Sequence, residues 1–124
     1  MRRGLLLFAH GARDPNWAVP FEAVARRAAE RLPDAIVRLA FLEFMTPDLR
    51  SAGTELAEAG CTTVDVLPLF LGAGGHVRKD LPKLIAELAV AYPAVDWRLR
   101  GAVGEDEHVI SAMADVAIAS VRRA

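Results

Sequence analysis

Residues 63–93, TVDVLPLFLGAGGHVRKDLPKLIAELAVAYP, contain a strand, a glycine-rich loop and a helix in direct succession. The apolar, β-branched segment 63–70 fits a strand that is buried on both faces of a sheet. Beyond the loop, Leu81, Leu84, Ile85 and Leu88 recur at helical intervals until Pro93 ends the pattern. A strand followed by a helix that crosses back to the same sheet is the repeating unit of parallel α/β proteins.

The same unit occurs four times along the chain. Predicted strands cover residues 4–9, 35–42, 63–70 and 95–100, and a segment of helical period follows each of them. Strands that are joined by crossover helices run parallel, with right-handed connections. The sequence therefore predicts an α/β fold: a three-layer α/β/α sandwich around a four-stranded parallel sheet, with flavodoxin-like strand order.

Helix signals are clearest in two of the four helical segments. In residues 16–32, the spacing of the apolar residues predicts one face formed by Val19, Ala23, Ala29 and Leu32. In residues 46–60, we expect Thr46 as N-cap, Pro47 at the first helical position and Gly60 at the C-cap. The last helix is expected over about residues 105–122, with Val109, Ile110, Met113 and Val116 on its apolar face.

Composition restricts the possible partners. The 124 residues suit a single domain, 1–124, and the formal net charge of −1 provides no basic field for nucleic acid. No apolar run approaches the length of a membrane span, and the amino terminus does not read as a signal peptide. The single cysteine, Cys61, suits a reducing compartment. We therefore expect a cytoplasmic protein that binds neither nucleic acid nor membranes.

Three candidate site residues follow the first three strands. His10 and Glu43 come directly after strands one and two, and His76 lies in the glycine-rich loop after strand three. Parallel sheets bind ligands beyond the carboxyl ends of their strands. Two imidazoles and a carboxylate at one edge suit divalent iron, cobalt, nickel or zinc. Taken one at a time, each histidine can equally be a turn residue, and Glu43 can equally pair with Arg13.

The glycines around His76 do not match a phosphate-binding loop. Neither a Walker ending nor a dinucleotide fingerprint occurs in the sequence. We interpret the loop as one that can close over a bulky flat ligand, with Arg78 and Lys79 available to attract carboxylates. Solvated charge at a helix start is the alternative interpretation of these two residues.

Three motifs carry a family resemblance. AHGARDP at 9–15, LEFMTPDL at 42–49 and LPLFLGAGGHVRKDLP at 67–82 resemble the short form of the sirohydrochlorin cobaltochelatase and ferrochelatase family, the class II metal chelatases. The resemblance implies ATP-independent insertion of Co²⁺ or Fe²⁺ into sirohydrochlorin, for cobalamin or siroheme synthesis. It implies no organic cofactor, and the divalent metal is a co-substrate, with Ni²⁺ also compatible.

The resemblance also implies roles for individual residues. His10, His76 and Glu43 match the catalytic and metal-binding positions, since the metal needs ligands and the two pyrrole protons need acceptors. Arg13, Arg78 and Lys79 are the candidates to bind the carboxylates of the tetrapyrrole. Long-form relatives resemble two such domains fused, so we expect a homodimer of this chain. For Trp17 and Phe44, the expected roles are contact with the macrocycle, contact with the partner, or packing in the core.

Two other functions fit parts of the sequence. A non-enzymatic metal carrier would use the same ligands without turnover. A phosphoryl-transfer enzyme could use His10 as its nucleophile, although Ala9 stands where histidine phosphatases place an arginine.

Overall fold

The computed structural model describes residues 2–72 and 74–123, without the side chain of His76. Four parallel strands form its sheet: β1 (Arg2–Ala9), β2 (Ala35–Phe41), β3 (Cys61–Pro68) and β4 (Asp96–Leu99). Their order is β2-β1-β3-β4. The parallel α/β sheet and the predicted strand order are thus confirmed.

Four helices alternate with the strands: α1 (Val19–Arg31), α2 (Leu49–Glu58), α3 (Gly75–Ala91) and α4 (Glu107–Arg122). Short 3₁₀ turns over Pro15–Ala18 and Val103–Glu105 precede α1 and α4. Within the described ranges, no helix combines the length and the apolar composition that a membrane span requires.

The core lies between the sheet and the pair α2 and α3. Alternate residues of the central strands point to this face, because side chains of a strand alternate between the two faces of a sheet. The residues that form this core include Leu6, Phe8, Val64 and Val66 of the sheet, Leu49, Ala52 and Leu56 of α2, and Leu81, Ile85 and Leu88 of α3. Helix α1 packs on the opposite face, over β2.

Three details of the helices differ from the sequence-based expectations, and the first concerns α2. Asp48, not Thr46, is its N-cap: the carboxylate accepts a hydrogen bond of 2.8 Å from the Ser51 amide. This hydrogen bond lowers the pKa of Asp48. Pro47 precedes the helix instead of opening it, with a cis peptide bond after Thr46. Gly60 has the expected left-handed conformation, with φ of 91°.

The second difference is the start of α3. In the sequence, helical spacing begins only at Leu81, after the glycine-rich loop. The helix instead begins at Gly75 and continues through Pro82, which has no N–H to donate to the helix. His76, Arg78 and Lys79 therefore lie in the first turns of α3 and not in a loop.

The third difference is the face of α1. Val19, Ala29 and Leu32 are exposed, so the face predicted for this helix was wrong at these positions. The half-buried positions include Phe21, Ala25 and Ala28, which have helical spacing. Alanines on several sides of the helix leave its apolar stripe poorly defined in the sequence.

Candidate functional site

The site lies at the carboxyl edge of the sheet. His10 is the first residue after β1, Glu43 is the second after β2, and Phe70 is the second after β3. The backbone holds these strand ends together: the Leu42 amide donates to the Ala9 carbonyl at 2.9 Å, and the Leu69 amide donates to the Phe8 carbonyl at 2.7 Å. Parallel pairing therefore brings the three side chains into one cluster.

His10 is held at both its ring and its backbone. Its imidazole packs against the ring of Phe70, with centroids 4.4 Å apart, and its carbonyl accepts a hydrogen bond of 2.6 Å from the indole of Trp17. Its Nδ1 lies 3.6 Å from Oε1 of Glu43, which is ion-pair distance but longer than a hydrogen bond. The side chain remains 45% exposed.

Glu43 adds a carboxylate that can bind a ligand to this cluster. Its Oε2 is buried and has no hydrogen-bond partner among the described residues. Burying an unpaired carboxylate oxygen is costly, and such groups mark places where an ion or a polar ligand completes the bonding. Oε1 faces His10, and Oε2 finds no partner in the described part of the chain, so this carboxylate is suited to bind a cation or a proton.

The glycine after His10 is required by the position of Glu43. A Cβ at Gly11 would lie 1.6 Å from the Glu43 carbonyl oxygen and 2.8 Å from its carbonyl carbon. No side chain fits in that space, so only glycine lets the two strand ends approach this closely. Gly11 thus allows His10, directly after β1, to lie close to Glu43.

A strained turn follows Glu43. Phe44 has φ of 65°, a conformation that is unusual for a bulky residue. The Met45 amide donates to the Glu43 carbonyl at 2.8 Å, which closes a three-residue γ-turn around Phe44. Strained backbone of this kind is concentrated at binding and catalytic sites. The turn leaves the Phe44 side chain 64% exposed.

Arg13 reaches the same turn from the loop after β1. Its guanidinium carbon lies 5.2 Å from the centroid of the Phe44 ring, a cation–π contact. Arg13 is exposed and lies in the same loop as His10. The contact places a positive charge at the rim of the site, where it can bind an anionic substituent.

The other two predicted cations lie on α3. Arg78 and Lys79 are both exposed, and Arg78 lies 3.9 Å from Glu105. Arg78 also lines a groove of about 260 Å³ between α3 and the segment after β4, together with Phe70 and Val77. Arg78 therefore lies beside the end of the third strand.

The third predicted ligand is His76. It is the second residue of α3, and its side chain lies outside the described residues. Among the side chains that the structure describes, no three from His, Cys, Asp and Glu converge on a metal position. His10 and Glu43 are thus brought together as predicted, while the contribution of His76 stays a prediction.

Cys61 is not part of this group. It begins β3, at the opposite edge of the sheet, and is 3% exposed. Burial raises the pKa of its thiol. A buried, protonated thiol at that position acts as an apolar core residue.

Sequence reasoning missed Phe70 as a site residue and the role of Trp17. Phe70 ends the run LPLF and packs against the imidazole, whereas the predicted strand 63–70 had included it. Trp17 was expected to pack in the core or to contact the macrocycle or a partner. Its exposed fraction is 43%, and its hydrogen bond to the His10 carbonyl was not visible in any local pattern.

Comparison with known proteins identifies related chains. Residues 4–119 match the model of the CbiX family. The sirohydrochlorin cobaltochelatase of Sulfurisphaera tokodaii is 29% identical over 109 residues, which are 86% of this chain and 83% of the relative. The sirohydrochlorin ferrochelatase of Bacillus subtilis is 26% identical over 113 residues, 91% of this chain but 43% of the relative.

Solved structures of related proteins match this chain as well. A CbiX protein from Marinobacter aquaeolei VT8 is 31% identical, with a TM-score of 0.85 over 98% of this chain and 99% of its own. The sirohydrochlorin chelatase SirB from Bacillus subtilis subspecies spizizenii, in complex with cobalt, is 26% identical with a TM-score of 0.80. The match covers 94% of this chain and 52% of SirB. The chain thus spans about half the length of these Bacillus relatives.

Proposed function

The chain belongs to the CbiX family, and from this premise we propose that it inserts a divalent metal ion, Co²⁺ or Fe²⁺, into sirohydrochlorin. The observation that carries the proposal is the pair His10 and Glu43 at the carboxyl edge, where the buried Oε2 of Glu43 has no partner among the residues that the structure describes. Relatives named sirohydrochlorin cobaltochelatase and ferrochelatase support the substrate and both metals. The metal is a substrate in this reaction, and the proposal includes no organic cofactor and no nucleotide.

Metal insertion requires a site that binds the ion loosely and accepts two protons from the pyrrole nitrogens. We assign metal binding to His10, Glu43 and His76, since imidazole and carboxylate donors suit both cobalt and ferrous iron. Each of these groups can also accept a proton when it releases the metal. Nδ1 of His10 lies 3.6 Å from Oε1 of Glu43, which puts these two proposed ligands within reach of one ion.

The rim of the site suits the acidic side chains of the tetrapyrrole. Arg13, held over the ring of Phe44, is our first candidate to bind a carboxylate, and Arg78 and Lys79 are further candidates. The exposed Phe44 ring offers an apolar surface beside this cation. A flat macrocycle with charged substituents needs both kinds of contact.

The proposal also covers assembly and location. A single copy offers one sheet edge, whereas the Bacillus relatives are about twice as long. We propose a homodimer, with its sites near the interface between the two copies. The single cysteine supports a reducing, cytoplasmic environment.

An anaerobic absorbance assay with sirohydrochlorin and Co²⁺ or Fe²⁺ tests the reaction. We expect His10→Ala, His76→Ala and Glu43→Gln to lower the enzymatic rate by on the order of 100-fold or more. His108→Ala is the matched control, because the His108 side chain is 98% exposed and contacts Asp106 outside the site. Its rate should equal that of the wild type.

The alternatives give different results in the same experiment. A metal carrier would bind Co²⁺ through His10 but would not exceed the spontaneous rate of insertion. A phosphoryl-transfer enzyme would hydrolyse phosphate esters and lose that activity in His10→Ala alone. Either result would replace the chelatase proposal.

A further inference from the structure

Large apolar side chains are exposed around the His10 site. Trp17, whose indole donates to the His10 carbonyl, is one of them, and Leu42, the first residue after β2, is another. Phe44 is exposed as well, and Leu71 is 70% exposed. Single exposed apolar residues are normal on a protein surface, but several at one edge mark a surface that binds a ligand or a partner.

Leu71 projects from a backbone that packing holds in place. It is the third residue after β3 and follows Phe70, whose ring packs against His10. The Gly104 amide donates to the Phe70 carbonyl at 2.9 Å. A Cβ on Gly104 would lie 2.0 Å from the carbonyl oxygen of Leu71 and 2.3 Å from its Cα. The most exposed apolar side chain of this edge therefore has a fixed position.

Phe44 takes the equivalent place on the other side of His10. It is the third residue after β2, and its backbone is held in the γ-turn with φ of 65°. The strand order β2-β1-β3 puts His10, at the end of β1, between Phe44 and Leu71. Neighbouring strands lie about 4.8 Å apart, so β2 and β3 are about 10 Å apart. A single pyrrole ring does not reach across that distance, whereas a flat macrocycle of four linked rings does.

We propose that Leu71 and Phe44 contact sirohydrochlorin from the two sides of His10 and hold the centre of the macrocycle at the imidazole. The inference rests on the proposed function and adds to it the residues that position the substrate. Apolar contacts at two fixed points select a flat, wide ligand, whereas the cations at the rim bind any acid. Two supports also prevent the macrocycle from tilting, and transfer of the metal and the protons depends on that alignment.

The test compares Leu71→Ala with the wild type. Binding of metal-free sirohydrochlorin is measured by quenching of tryptophan fluorescence, and kcat and KM for insertion of Co²⁺ are measured in the anaerobic absorbance assay. Loss of the leucine contact should weaken binding by about tenfold. Tilting of the macrocycle should lower kcat as well. Because the side chain is 70% exposed, its removal should leave the melting temperature unchanged.

Three further variants accompany this one. Leu71→Met keeps a long apolar side chain and should retain most of the affinity and of kcat. Phe44→Asn removes the ring with a residue that tolerates the left-handed backbone, and it should show the same two losses as Leu71→Ala. Val90→Ala is the matched control, because it shortens a valine that is 83% exposed at the opposite end of α3 from the glycine-rich loop. It should behave like the wild type.

The outcomes separate this inference from the chelatase proposal. If Leu71→Ala binds and converts sirohydrochlorin as the wild type does, the inference is wrong and the chelatase proposal stands. Weaker binding with an unchanged kcat would refute the positioning role. A change of oligomeric state in sedimentation velocity would show that Leu71 contacts a second copy instead. If the wild type binds sirohydrochlorin without accelerating insertion, the chelatase proposal fails, and the binding comparison still decides whether Leu71 contacts the macrocycle.

Discussion

Replacing Gly11 by alanine should disrupt the site at its tightest point. The added Cβ would lie 1.6 Å from the carbonyl oxygen of Glu43, whereas carbon and oxygen need at least 3.0 Å. The two strand ends must then separate by about 1.4 Å or more, since the interior has no free volume to absorb the methyl group. Overpacking of this kind costs about 1–3 kcal/mol. The melting temperature should fall by roughly 8 °C for a loss of about 2 kcal/mol.

The effect on catalysis should exceed the effect on stability. A displacement of about 1 Å between reacting groups can lower a rate by about 100-fold, and the displacement here separates His10 from Glu43. We therefore expect kcat/KM for metal insertion to fall by about 100-fold while most of the protein stays folded at 25 °C.

The control for this experiment is Gly101→Ala, because no described atom lies within 4 Å of a Cβ at that position. Thermal unfolding by circular dichroism and the absorbance assay are measured for both variants. If Gly11→Ala keeps the wild-type melting temperature and rate, the close approach of the two strand ends has no part in either fold or function.

Three further substitutions test the supports of the site. Gly104→Ala should lower stability by about 1–3 kcal/mol in calorimetry and reduce activity, because a Cβ would lie 2.0 Å from the Leu71 carbonyl oxygen in the loop that leads to α3. Phe70→Leu removes the ring that packs on His10 and should lower kcat/KM by about two- to tenfold, with its melting curve as the control. Asp48→Ala removes a helix cap and should cost about 1 kcal/mol near neutral pH. Because capping lowers the pKa of Asp48 below its ordinary value of 3.8, this stabilisation is lost as pH falls through the lowered value. The difference in melting temperature between wild type and Asp48→Ala should therefore shrink below pH 3.8; a difference that is constant down to pH 2 would contradict the assignment.

The architecture could be predicted from the sequence because each strand is a short apolar run and each crossover has helical period. The position of His10 and Glu43 followed from the same logic, since parallel strands deliver their carboxyl ends to one edge. The order of the strands agreed with the expectation for a small doubly wound sheet. These features depend on local patterns and on general rules of topology.

Features that depend on competing local signals were less predictable. Both Thr46 and Asp48 can cap a helix. Asp48 is the cap, because its carboxylate accepts the hydrogen bond from the Ser51 amide. Helical spacing was visible only from Leu81, but α3 begins six residues earlier, at Gly75. The apolar pattern of α4 correctly predicted a helix near residues 105–122. That pattern does not specify which surface covers the helix. It describes α4 alone, whereas packing also depends on the surface that α4 contacts.

The hydrogen bond from Trp17 to the His10 carbonyl gives the protein an optical reporter. The chain has two tryptophans. Trp97 lies on β4, where its indole donates to the Tyr92 carbonyl at 3.3 Å and packs against the core beside α2 and α3. Trp17 alone is bonded to the residue that we expect to receive the metal. Fluorescence of the Trp97→Phe variant should therefore follow the arrival of paramagnetic Co²⁺ at the site by quenching, without any added dye.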